Sequence, residues 1–411
     1  MALRSDKIAG DTSDGSRDAP GILHSGASGD VLVLSMRRQA TLVAYCALYE
    51  FEDVIVDLTG ADRIDVSSSR SLEFSRRVFK VLRHSSGSRR LAWACSPKPV
   101  RTSLRRYELF FPVFTHPHEL YALASVPEWR GHCRLAACYI AEMWLHQLPN
   151  YLLEMLSEFD HIFLGVQHPV EEVARIAGRP CSYLPLAADV VRFSPYPQRP
   201  DRVIDVCNIG RRSPVTHAAL MALAAKAKIF YYYDTVAASG LGNKQRTFLV
   251  QDAAEHRLLH ANLLKRSRYY VANRALINDP KFTRGRQEIS GRYYEGAAAG
   301  TVMIGEPPLS TEFKTQFDWD GAIMPVPFDS PDIASMLAEF DSSPKHLAAI
   351  REDNLRNAAL RHDWSHRLRT IYDTLGLSPT EKMLGRQRRL ESLVASAPGA
   401  RLDTAGAAGS T

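Results

Sequence analysis

The residues best suited to chemistry lie in the second half of the chain, where residues 277–308 read INDPKFTRGRQEISGRYYEGAAAGTVMIGEPP. Ser290 is an expected N-cap that places Arg292 and Glu295 in the first turns of a helix. The small residues 296–300 let that helix pack closely and turn into the strand TVMIG. A carboxylate near a helix start is placed to accept both hydroxyls of a ribose, and Arg292 can neutralise a phosphate or pair with a neighbouring acid. The plainer alternative is that Glu295 only complements the helix dipole.

A second segment, VIDVCNIGRRSPVTHAALMALA at residues 203–224, runs an apolar strand into Gly210, Arg211 and Arg212, then into Ser213 as N-cap and Pro214 in the first turn. Such a helix start offers N–H groups and a positive dipole end to an anion, and the two arginines suit a pyrophosphate. A glycine turn between strand and helix also occurs without any ligand. Lys265 and Arg284 are further diphosphate candidates, Lys265 being equally readable as a surface cation. Tyr231, Tyr232 and Tyr233 end a strand near the expected base pocket, though alternating tyrosines also fill sheet faces. On the acceptor side, AEMWLH sets Glu142, Trp144 and His146 after a buried strand. Glu142 or His146 is then a general base for an inverting reaction, an orienting group for the acceptor, or a structural strand-end residue. No metal-ligand spacing such as H-E-x-x-H occurs, and no metal or other cofactor is expected.

These residues need a frame. Residues 1–29 are rich in Gly, Ser and Asp and read as a disordered tail. From residue 30, short apolar runs (VLVLSM, VIVDLTG, LAWACS, CYIAEMW, IFLGV) alternate with helical stretches at 68–82, 148–159 and 169–177, which predicts a parallel sheet covered on both faces. FSPYPQRPDR at 193–202 is the expected linker. The alternation restarts beyond it, with strands at 203–209, 229–234, 269–273 and 301–305 and helices at 214–225, 254–267 and 292–299. Two helices over 345–375, broken near 362–364, should close this half, followed by a helix at 380–395 and a disordered end. The expected fold class is α/β, with two doubly wound domains at 30–195 and 203–375 facing each other across a cleft at their strand C-termini.

RYYEGAAAGTVMIGE resembles the nucleotide-sugar segment of GT-B glycosyltransferases of the family 4 and spore-maturation CgeB-like group, which carry an Arg-x-aromatic-Glu-Ala-x-Ala-x-Gly pattern. The resemblance spans roughly residues 139–375, through FDHIFLGVQHPVEEVARIAGRPCSYLPLAADVVRFSP, IDVCNIGRRSP, LLKRSRYYVANR and HDWSHRLRTIYDTL. It implies two Rossmann-like domains, a first domain that binds the acceptor and a second that binds the donor nucleotide, and a glutamate at Glu295 that holds the donor ribose. Many family 4 members place a second glutamate eight positions earlier, where this chain has Gln287 followed by Glu288. Glu288 or Gln287 takes that role, or backbone N–H groups at 286–290 do.

The chain has 411 residues, 45% hydrophobic and 23% charged, as in ordinary globular proteins of two domains. No apolar run reaches the length of a membrane span, and the N-terminus has no apolar signal core, so a cytoplasmic location is expected. Six scattered cysteines without paired spacing read as reduced core residues. The net charge of +6 favours anionic partners. The basic stretches between 75 and 110 form either a solvated helix face or a surface meeting an anionic acceptor or the inner face of a membrane. Nucleic-acid binding is not expected, because the aromatic-basic motifs of such modules are missing. The leading function is transfer of a sugar from a nucleotide-diphosphate sugar to a glycan, lipid-linked or small-molecule acceptor, without a metal, as in polysaccharide or natural-product glycosylation. The alternatives are a nucleotide-sugar epimerase on the same fold and a non-catalytic glycan-binding or coat protein. Oligomeric state is not readable.

Overall fold

A computed structural model of the chain describes residues 21–395, apart from 27–28, 40–41, 68–104 (save 77–78, 81–82 and 85), 127, 145–149, 235–236, 239–244 and 247–248. His146, Cys95, the LAWACS run, most of the helix expected at 68–82 and most of the basic stretches lie outside the described residues.

The first sheet contains β1 (Gly21–His24), β2 (Val31–Arg38), β3 (Asp62–Ser67), β4 (Tyr107–Phe114), β5 (Cys133–Ile140), β6 (His161–Leu164) and β7 (Cys181–Tyr183) in the order β1-β3-β2-β4-β5-β6-β7. Only β1 runs antiparallel, against β3. β2, β4 and β5 are near-continuous apolar runs because both faces of a parallel sheet are covered. Helices α1 (Cys46–Thr59), α2 (Asn150–Met155) and α3 (Val170–Ala177) belong to this half.

Three expectations fail here. β1 lies inside the segment read as a tail, pairing through Gly21–His24 with β3. The run VIVDLTG is the end of α1 instead of a strand, closed by Gly60 at φ 66° with its N–H on Val56 O at 2.9 Å. A short β-branched run carries no periodicity that separates a buried strand from a buried helix. β4 was hidden at the end of a basic stretch.

The second sheet follows α4 (Val190–Phe193). Its course is β8 (Ile204–Asn208), α5 (Pro214–Ala225), β9 (Tyr231–Tyr233), the short antiparallel pair β10 (Ala237–Ala238) and β11 (Gln245–Arg246), α6 (Ala253–Lys265), β12 (Ser267–Val271), α7 (Pro280–Thr283), α8 (Gly291–Ala298), β13 (Val302–Gly305), α9 (Thr311–Gln316) and β14 (Met324–Pro325). The strands order β14-β13-β12-β8-β9, all parallel. Helices α10 (Ile333–Asp341), α11 (Pro344–Arg361), α12 (Trp364–Leu375) and α13 (Glu381–Ala395) complete the described chain. Two wound parallel sheets facing across a cleft make the GT-B arrangement that the resemblance implies.

The sequence reading gives residues up to 375 to the second domain, but α12 crosses back to the first. Trp364 stacks on Phe51 of α1 with ring centroids 4.5 Å apart, and Leu368, Ile371 and Tyr372 join Val33, Phe111 and Tyr139 in one core. Met383 of α13 enters the same core. Apolar spacing shows which face of a helix is buried and not which sheet buries it. The five described cysteines are free thiols, and among the described residues no helix is long and apolar enough to cross a membrane.

Candidate functional site

The C-terminal ends of β8, β12 and β13 carry Ile209 to Arg211, Asn273 and Glu306, and between them the chain reaches the start of α8. Ser290 is the N-cap of α8 with extended backbone, yet its hydroxyl donates to Asn273 O at 2.8 Å and caps no helix N–H. The positive end of α8 is therefore uncapped by any side chain. Arg292 lies in its first turn, donates Nε–H to Ile209 O at 3.1 Å and spreads over Gly210. A Cβ at Gly210, whose φ is 80°, would come within 2.8 Å of Arg292 Nη2. Arg211 donates to Asn278 Oδ1 at 3.0 Å. Burial and the adjacent Arg292 charge lower the Arg211 guanidinium from its ordinary value, against Glu142 and Asp279. Glu142 follows β5 of the first sheet, so the charge of Arg211 acts on a carboxylate of the other half.

The start of α5 differs. Ser213 Oγ accepts from Val215 N and Thr216 N, both at 3.1 Å, and donates to Asp329 Oδ1 at 2.5 Å. Its N–H groups are thus satisfied and a carboxylate already sits there, leaving little for an anion. Arg212 turns away too, donating to Asp234 Oδ1 at 2.7 Å and to Asp234 O at 2.5 Å. Of the three residues expected to hold phosphate in this turn, Gly210 and Arg211 face Arg292, while Arg212 is a buried strut between β8 and β9.

Lys265 is at the wrong end. It closes α6 beside the start of β12, opposite the strand C-termini, and its electrostatic neighbours are Arg266, Asp189 and Arg192. A helix antiparallel to its sheet puts its last turn at the strand N-termini. Arg284 ends α7 with φ 52° and is exposed on the loop leading to α8. Tyr231 is packed inside, with its hydroxyl bonded to Asn208 Nδ2 and His217 Nδ1 at 3.1 and 2.8 Å, so it fills the sheet face.

Glu295 is 7% exposed. One carboxylate oxygen accepts from Arg257 at 2.5 Å and the other lies 3.1 Å from His260 Nε2. Burial pushes this carboxyl up, but the Arg257 and His260 charges outweigh it and hold it far below the usual range. Arg257 also grips Glu50 of α1, through Nε at 2.9 Å and Nη2 at 3.1 Å. Glu50 further accepts from Asp189 N, Arg192 and the Trp364 indole at 2.9, 3.3 and 3.2 Å. Glu295 is thus one end of a buried ion chain joining the domains, a role that no local motif signals, because its partners lie 38 and 35 residues away and Glu50 lies 207 residues from Arg257.

A second bridge closes the cleft near α8. Glu288 Oε1 is 2.6 Å from Nδ1 of His168, which lies between β6 and α3. Trp144 packs on His168 and on Phe282 of α7, with ring centroids 5.2 and 5.5 Å apart. Gln287, at the position of the earlier family glutamate, accepts from Leu309 N at 2.8 Å. Glu142 follows β5 and pairs at 3.8 Å with His116, which follows β4 and which the sequence reading missed. A single histidine before a proline gives no signal until the strands are aligned.

Residues 251–373 match a family described as glycosyl transferase-like. No curated protein matches the chain. Among solved structures it is similar to TarM at 8% identity, covering 64% of this chain and 54% of that one with a TM-score of 0.41. It is similar to the S. aureus MnaA–UDP co-structure at 8% identity, covering 85% and 97%, TM-score 0.42. It is also similar to a glycotransferase of kitacinnamycin at 11% identity, covering 84% and 98%, TM-score 0.37. This chain spans about half the length of TarM.

Proposed function

We propose, from the match of residues 251–373 to a family described as glycosyl transferase-like, that this chain moves a sugar from a nucleoside-diphosphate donor onto a hydroxyl of an acceptor held by the first domain. The observation that carries this reading is the uncapped start of α8, with Arg292 spread over Gly210 and the charge of Arg211 beside it. As the bond to the anomeric carbon breaks, negative charge grows on the leaving diphosphate. Two guanidiniums and a helix N-terminus fixed in advance stabilise the extra charge on the leaving diphosphate more than the charge already on the bound donor, which is what accelerates transfer. In this proposal they do what a metal ion does elsewhere. Glu295 stands one turn further along α8 and takes the ribose hydroxyls with the lone pairs that Arg257 and His260 leave, as the family pattern implies. Glu142, exposed across the cleft, marks the acceptor side.

Thermal stabilisation by UDP, GDP, ADP and TDP tests the donor half. At 100 times its Kd a ligand adds about 2.7 kcal/mol, a shift of a few degrees. A shift with at least one diphosphate, smaller with the matching monophosphate, is expected; no shift with any of the four removes the proposal.

A further inference from the structure

Where the two halves meet beside Arg211, the first domain buries a hydrogen-bond donor that nothing accepts. Trp144 follows β5 and is 6% exposed. Its ring packs on His168 of its own domain and on Phe282 of α7 in the other. Its Nε1–H is buried and has no hydrogen-bond partner among the described residues. Two other indoles are paired: Trp319 donates to Asn354 Oδ1 at 2.8 Å and Trp364 to Glu50 Oε1 at 3.2 Å. A buried donor without a partner loses its water on folding and gains nothing in return, and an acceptor brought by a ligand is the repair that a binding cleft offers. The nearby carboxylate of Glu288 is already taken by His168 Nδ1 at 2.6 Å.

The position of the ring selects the ligand. Glu142, two residues before Trp144, acts on the charge of Arg211. Arg211 donates to Asn278 Oδ1 at 3.0 Å, and Phe282, which touches the indole, lies four residues after Asn278. Trp144 therefore adjoins the segment that steadies Arg211. In a donor whose diphosphate rests on Arg211 and Arg292, the group bonded to the outer phosphate comes next to this segment, and that group is the sugar.

We propose that Trp144 is a specificity-determining residue for the transferred sugar, its Nε1–H donating to one sugar hydroxyl. This rests on the donor reading above. The sugar enters at the contact between the indole and Phe282 and takes the place of Phe282 against the ring. An indole is a donor only, so it requires an oxygen with a free lone pair at one fixed position, while its apolar face covers the C–H side of the sugar. A sugar lacking an oxygen at that position leaves the donor orphaned, which is a stronger means of rejection than shape alone.

The test titrates the full chain by calorimetry with UDP, GDP, ADP and TDP, then with the glucose, galactose, mannose and N-acetylglucosamine conjugates of the diphosphate that binds best. Trp144→Phe keeps an aromatic ring and deletes the N–H. It should weaken the best-binding sugar nucleotide by about tenfold and leave the bare diphosphate within about twofold. A smaller ring can loosen the fold, so wild-type protein carrying isotopically labelled tryptophan gives a second reading by NMR. One indole N–H signal should move with the sugar nucleotide and keep its place with the diphosphate. Unchanged sugar-nucleotide affinity in Trp144→Phe, or indole signals that answer both ligands alike, overturns the inference while leaving the donor site standing. An equal loss for the bare diphosphate overturns it too, by making the ring a wall of the diphosphate site, and so does a wild-type chain that binds a diphosphate and none of its sugar conjugates. A wild-type chain that binds none of the four diphosphates fails at the donor reading, and the inference fails with it.

Discussion

At the scale of single residues, Glu295 carries two burdens. Its carboxylate balances Arg257 and His260 in a buried setting, and in the proposed reaction it also meets the ribose. Removing one partner of a buried pair leaves the other charge uncompensated, at about 3 kcal/mol. Glu295→Ala should therefore lose about 3 kcal/mol in urea unfolding as well as the nucleotide shift; unchanged stability would show that Arg257 is satisfied without it. Family pattern alone predicts only the loss of binding. Glu119 offers a pH test. Burial raises its carboxyl to about 7, against the backbone N–H groups of Thr115 and His116. A carboxyl raised on folding contributes stability that is full below its unfolded value near 4.5 and is lost as pH climbs through about 7. Glu119→Gln removes that loss. Its melting temperature relative to wild type should become more favourable from pH 5 to pH 8, and a difference independent of pH would contradict the assignment.

At the scale of elements, two helix starts that look alike in sequence do opposite things. Ser213 closes α5, whereas Ser290 turns its hydroxyl to Asn273 and leaves α8 uncapped. Ser213→Ala should cost about 1 kcal/mol of stability and leave nucleotide affinity alone. Gly210→Ala should do the reverse to binding: the new Cβ meets Arg292 at 2.8 Å in a left-handed backbone, so the arginine must move and diphosphate affinity should fall about tenfold. An unchanged affinity in that variant would detach Arg292 from the diphosphate. The cap residues and the strand-helix rhythm of residues 203–305 were legible because Pro214, Ser213, Ser290 and Gly300 mark boundaries locally. The direction of a hydroxyl, the burial of Arg212 on Asp234 and the far-end place of Lys265 were not. Each depends on a partner from another element, and spacing along one element is silent about that.

At the scale of the molecule, the domains are tied by α12 crossing to the first core and by Glu50 accepting from Arg257, Arg192, Trp364 and Asp189 at once. Glu50→Ala should lower the melting temperature and, by uncoupling the halves, split one calorimetric transition into two; a single unshifted transition would show the tie to be incidental. The two-sheet plan could be read from alternation, but the return of α12 could not, since it joins residues more than 300 positions apart. The central claim is that the cleft edge formed by Arg211, Arg292 and the start of α8 holds a nucleoside diphosphate. Its most direct measurement is calorimetric titration of the best-stabilising diphosphate into wild type, Arg211→Ala, Arg292→Ala and the double variant. Each single change should weaken binding by about tenfold and the double change by more, with the melting temperature of the free protein little altered. A double variant that binds the diphosphate with wild-type affinity would contradict the account.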